Sequence, residues 1–153
     1  MIRTEKSIVI NVPVAEVFAY TADPQHVPEY FHGCLEIADI RRLPNGGFAA
    51  KTVNRFAGLH TEMTGETTEF VPNERMVTKS TGKLADVTVT ATFQPVEDTK
   101  TRVTCIEEYT IHGGFLAKLG DPFLSRYVDH GAELTQETLK ARVEAGVPAA
   151  SIG

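Results

Sequence analysis

The spacing of apolar positions changes twice along the chain, and the changes divide it into three regions. Residues 3 to 11, with the β-branched run "SIVINV", read as a strand. Pro13 then stands where a helix can begin, and "VAEVFAYTA" carries apolar residues at the spacing of a short amphipathic helix. Pro24 disfavours helical geometry at Asp23, so this helix ends before "DP". From there the apolar period falls to two. Strands are predicted over 34 to 43, 47 to 56, 59 to 71, 75 to 81, 85 to 95 and 101 to 112. "PNGG" at 44 to 47 accepts the positive φ of a tight hairpin, and "VPNER" and "PVEDTKT" mark two further turns. Strands joined by such short turns pair antiparallel, because parallel neighbours need long crossovers.

After "HGG" at 112 to 114 the period becomes helical and stays so to about residue 145, with a possible break at Asp121-Pro122. A helical projection places Gly120, Phe123, Leu124, Tyr127, Val128, Gly131, Leu134, Thr135, Thr138 and Leu139 on one broad face, with Gln136 and several charged residues opposite. The middle of that inner face is small and hydroxylic. Such a helix either approaches its sheet closely or leaves a hollow beneath it. A strongly curved sheet cannot follow one straight helix along its whole length, which favours the hollow.

The chain has 153 residues, enough for one domain over 1 to 146, with 147 to 153 expected to form a flexible tail. A net charge of −5 supplies no basic excess for nucleic acid or an anionic membrane surface. The apolar runs are too short to cross a bilayer, and the first residues lack a signal-peptide pattern. Cys34 and Cys105 are therefore expected to be reduced thiols of a cytoplasmic protein. No CxxC, CxxH or HExxH spacing occurs, and there is no phosphate loop or dinucleotide fingerprint, so neither metal nor cofactor is expected.

The stretches "INVPVAEVFAYTADPQHVPEYF" at 10 to 31, "TEFVPNERMV" at 68 to 77, "FQPVEDTKTRVT" at 93 to 104 and "GGFLAKLGDPFL" at 113 to 124 resemble the START/Bet v 1-like superfamily. Within it they are similar to the bacterial polyketide cyclase/dehydrase and lipid-transport group called SRPBCC. The resemblance covers about 140 residues. It implies an α+β helix-grip fold: a curved seven-stranded antiparallel sheet wrapped around a long C-terminal helix, with two short helices after the first strand. Tyr30 stands where the family usually has tryptophan, which keeps an aromatic plate but adds a hydroxyl that needs a partner.

Side-chain alternation nominates the interior. In 101 to 112, Val103, Cys105, Glu107, Tyr109 and Ile111 share the apolar face, which places a carboxyl inside. An unpaired buried carboxylate costs several kcal/mol or takes up a proton. Glu107 with Tyr109 is thus the candidate proton-moving pair, unless a bulge turns Glu107 outward or a structural ion pair absorbs it. Asn54 shares a face with Phe48, Ala50, Thr52 and Phe56, and Val89, Ala91 and Phe93 share another. In 59 to 71, Leu59 and Met63 favour the odd face and Phe70 the even one; the odd face is taken as inward, which sends His60 to solvent. "DPQHVPEYFHG" at 23 to 33 reads as a lid with Val27, Tyr30 and Phe31 turned inward, since His26 and His32 are poorly spaced for a metal. The expected ligand-facing set is Tyr30, Phe31, Asn54, Phe56, Met63, Val89, Ala91, Phe93, Phe123, Tyr127, His130 and Leu134. Tyr127 serves equally as a core aromatic, and His130 as a half-exposed helix residue. Three functions remain open: a carrier or sensor of a small hydrophobic molecule, a cyclase/dehydrase-type enzyme using the same cavity, or a partner-interaction domain, in each case as monomer or homodimer.

Overall fold

A computed structural model describes residues 1–146; the tail expected over 147 to 153 lies outside the described residues. The chain runs β1 (Ile2–Ile10), α1 (Val14–Ala22), a 3-10 turn (Pro24–His26), α2 (Val27–Tyr30), then β2 (Cys34–Arg42), β3 (Phe48–Phe56), β4 (Leu59–Val71), β5 (Arg75–Gly82), β6 (Ala85–Glu97) and β7 (Lys100–Ile111). Two helices close it, α3 (Phe115–Leu119) and α4 (Asp121–Glu144). The strands form one antiparallel sheet in the order β1-β7-β6-β5-β4-β3-β2, a curved, open grip around α4. Among the described residues, no helix is long and apolar enough to cross a membrane.

Three local features depart from the simple periodicity. The conflict between Met63 and Phe70 is resolved by a β-bulge: the pairing with β5 steps from Thr67↔Thr78 to Glu69↔Val77, so one extra residue sits on β4. Odd positions face inward as far as Thr67, and beyond the bulge Phe70 turns in to meet Phe18 edge-to-face at 5.3 Å. The C-terminal helix is interrupted at Gly120, whose φ of 84° is a left-handed conformation that favours glycine, and Pro122 then starts α4. The buried stripe of α4 is Leu124, Val128, Ala132, Thr135, Gln136, Leu139 and Val143, rotated from the expected face. Gln136 is drawn inside because its amide donates to the carbonyls of Lys6 (2.9 Å) and Val103 (3.2 Å). Phe123 correspondingly swings out and is 50% exposed.

Those bonds fix where α4 sits. It lies along β1, held also by Lys6 and Thr4 to Asp129 and by the Lys140 amine on the Val9 carbonyl at 2.8 Å. Toward β2–β4 the helix is tied through the lid: the His32 amide donates to Thr135 Oγ1 at 2.9 Å. Gly131 permits this approach, since a Cβ there would stand 3.0 Å from the His32 ring. The apolar core accordingly forms two clusters. One lies under α1 and the end of α4, around Phe18, Phe93, Leu139 and Val143; the other lies around Tyr109, Leu116, Leu124 and Val128. Between them the sheet and helix part.

Candidate functional site: an internal hollow

The gap is a cavity of about 170 Å³. Strand alternation builds most of its wall. On β3 the inward residues Phe48, Ala50, Thr52, Asn54 and Phe56 all line it, and on β6 so do Val87, Val89 and Ala91. The even positions of β5, Met76, Thr78 and Ser80, form the floor between them, and Val103, Cys105 and Tyr109 continue from β7. The lid supplies Val27, Tyr30 and Phe31, and α4 closes the roof with Thr135, Gln136 and Leu139.

Of the expected ligand-facing residues, Tyr30, Phe31, Asn54, Phe56, Met63, Val89 and Ala91 line this hollow, and so does Tyr109. The others lie elsewhere. Phe93 packs into the core with its ring 5.0 Å from that of Phe18. Phe123 and His130 are exposed on α4, and Leu134 is half-buried outside the lining. Tyr127 stands behind the wall, edge-to-face with Phe56 at 5.2 Å. Thr78 and Ser80 were readable from the alternation of β5 with Met76, and Thr135 and Leu139 lie on the helical face already drawn. Gln136 gave no signal, because nothing local announces the two carbonyls, one on β1 and one on β7, that accept from its amide.

Glu107 is 2% exposed and lies on the inward face of β7 between the lining residues Cys105 and Tyr109. The Tyr109 hydroxyl donates to its Oε1 at 2.8 Å, while Oε2 has no hydrogen-bond partner. Burial pushes the carboxyl pKa up, and the tyrosine bond only partly opposes this, so the neutral acid is favoured. Burial likewise raises the Tyr109 hydroxyl well above its ordinary value, with the neighbouring Glu107 adding to the shift. Both cysteines are free and line the hollow. Burial pushes the Cys34 thiol up to about 11 and Cys105 higher still, so neither is a ready nucleophile at neutral pH.

The lid is held by ring stacking and hydrogen bonds. His26 stacks on Tyr20 at 4.1 Å and its Nδ1 lies 2.9 Å from the Tyr20 carbonyl, while the exposed His32 uses its backbone amide to reach α4. Tyr20 donates to Glu29 at 2.9 Å, and Arg142 of α4 approaches the same carboxylate at 3.6 Å. Tyr30, the aromatic plate, donates its hydroxyl to the Thr21 carbonyl at 3.0 Å. Among the described residues no group of three or more His, Cys, Asp or Glu could hold a metal ion.

A seven-stranded grip, a long closing helix and a hollow between them define a START-type, SRPBCC domain. The chain belongs to the polyketide cyclase/dehydrase and lipid transport family, whose model matches residues 1–144. A START superfamily protein from Mycobacterium smegmatis superimposes with a TM-score of 0.81 at 12% identity, covering 94% of this chain and 97% of that one. The Zhui aromatase/cyclase from Streptomyces sp. R1128 also gives 0.81 at 12% identity, with 97% and 96% covered. A protein from Thermus thermophilus gives 0.75 at 19% identity, covering 94% and 98%. At these identities the likeness is one of fold. No protein of curated function matches the chain.

Proposed function

We propose that this protein binds a small, predominantly apolar molecule in the hollow, as a carrier or sensor. The observation that carries the reading is the cavity itself: about 170 Å³ left open between two packed clusters, with an apolar wall and a few hydroxyl and amide groups. Natural interiors are close-packed, so a lined space of this size on the path of a lid is a binding feature rather than a packing fault. Apolar burial would drive association at about 25 cal/mol per Å², and the polar groups would orient the guest. Free cysteines accord with a cytoplasmic location. Native mass spectrometry of freshly purified protein, followed by titration with the neutral fluorophore N-phenyl-1-naphthylamine, tests the reading. Uptake by the wild type and its loss in Ala91→Phe are expected; equal uptake by both would refute it.

One observation favours a second reading, in which the same hollow performs cyclase/dehydrase-type chemistry. Tyr109 lines the cavity and its hydroxyl donates to Glu107, a buried carboxyl whose pKa burial raises, and in this reading the two serve as the proton-moving pair. The Zhui aromatase/cyclase shares the fold. Glu107→Gln separates the two readings: a carrier keeps its affinity, whereas an enzyme loses turnover on any polyketide-like substrate it converts.

A further inference from the structure

Thr21, Thr61, Tyr109, Thr135 and Gln136 give the hollow single polar groups on several elements, but four others fall together. Thr52 and Asn54 of β3 and Thr78 and Ser80 of β5 gather on the β3–β5 side, and the stripe ends at β6, where Val89 and Val87 pair beside Thr78 and Ser80. The backbone is shaped for this stripe. Ser80 pairs across to Gly65, and a Cβ at residue 65 would stand 2.5 Å from Ser80 Oγ, so the hydroxyl lies over β4 in space that only glycine leaves. The Asn54 amide donates to Thr52 Oγ1 at 2.8 Å, which leaves the Thr52 hydroxyl proton free to be donated. Thr78 and Ser80 enter no side-chain hydrogen bond among the described residues.

Charge is arranged just as unevenly. Among the described residues, Arg55 and His32 are the only lining residues of basic type, and both are exposed. Arg55 contributes main chain: its N–H donates to the Gly33 carbonyl at 2.8 Å and its own carbonyl accepts from Tyr127 at 3.5 Å. The side chain lies on the face opposite Asn54 and Phe56. Neither side chain therefore stands inside the hollow to neutralise a buried anion. Glu107, buried between the lining residues Cys105 and Tyr109, makes no salt bridge among the described residues. An anionic guest would lose its hydration and gain no partner.

We infer that the hollow selects an uncharged ligand whose hydroxyl or carbonyl oxygens lie along one edge, facing the Thr52–Ser80 stripe, and that it rejects carboxylate lipids such as free fatty acids. The inference rests on the binding function proposed above and specifies its ligand class. Near-isosteric guests test it at pH 7 by displacement of N-phenyl-1-naphthylamine: 2-naphthamide, 2-naphthoate and naphthalene. The amide should displace the probe at least tenfold more effectively than the carboxylate and more effectively than naphthalene. Thr78→Val combined with Ser80→Ala should bring the amide down to the naphthalene level without altering naphthalene itself. Gly65→Ala, which displaces the Ser80 hydroxyl by contact alone, should weaken the amide in the same direction. Carboxylate binding equal to or tighter than amide binding overturns the inference while leaving the binding function standing. Failure of the probe and all three guests to bind overturns both.

Discussion

Glu107→Gln offers a direct measurement of what burial does to one carboxyl. The side chain is almost fully enclosed, receives one hydrogen bond and leaves Oε2 unpartnered, so folding favours its protonated form. In the unfolded chain the group titrates near its ordinary value of 4.5. Below that pH both states hold the proton and stability is unaffected. Above it the unfolded chain releases a proton that the folded chain retains, and stability falls as pH rises until the folded carboxyl also ionises. The slope is about 1.4 kcal/mol per pH unit, or roughly 3 to 6 °C in melting temperature for a domain of this size. Glutamine reproduces the neutral acid: its carbonyl accepts from Tyr109 and its amide takes the place of the protonated oxygen. Asp129, held low chiefly by its hydrogen bond from Lys6, and Glu144, held low by Lys140, act in the opposite sense but are common to both proteins and cancel. Urea unfolding of wild type and variant from pH 4 to 8 should give curves that coincide at the acid end and diverge upward, the variant being the more stable. Parallel curves across that range would show that Glu107 ionises freely, and the buried-acid argument would fail.

Other substitutions probe separate parts of the structure. Tyr109→Phe removes the donor to Oε1 and should cost about 1–3 kcal/mol in urea unfolding, while pushing the Glu107 carboxyl further up and extending the pH range over which stability falls. Ala91→Phe places a ring in the hollow, so probe binding should vanish for a stability change of no more than about 1–3 kcal/mol. Phe18→Ala dissolves the edge-to-face contacts with Phe70 and Phe93 outside the cavity; it should cost about 3–5 kcal/mol yet leave probe affinity within twofold wherever the protein remains folded. Gly131→Leu drives a side chain into His32 and should speed hydrogen exchange of the His32 amide by roughly tenfold or more, since its bond to Thr135 is then lost.

Most strands were legible because they have one wet and one dry face, and alternation reports that difference residue by residue; β2, exposed along most of its length, is the exception. Met63 and Phe70 shared no phase, and the reason is a single inserted residue near Thr68; a period-two pattern can register the contradiction but not the bulge that removes it. On α4 the error had another origin. Helical projection ranks side chains by polarity, so it placed Gln136 outside and Phe123 inside. The structure inverts both, because Gln136 satisfies two carbonyls across the β1–β7 edge, and the buried stripe that runs through Leu124, Val128 and Gln136 leaves Phe123 half exposed beside it. Glu107 was found because alternation alone fixed its face. Its bond to Tyr109 follows from that same face, two residues further along.

The closing helix is fastened along β1 by Gln136, Lys140 and the Lys6–Asp129 pair, whereas the hydroxyls and amide proposed to meet a guest stand on β3 and β5. Cohesion and the proposed recognition thus reside in different strands of one sheet. On that proposal, residues of β3 and β5 can be exchanged without loosening the fastenings, so one scaffold can be retuned from guest to guest while its β1 side stays unchanged.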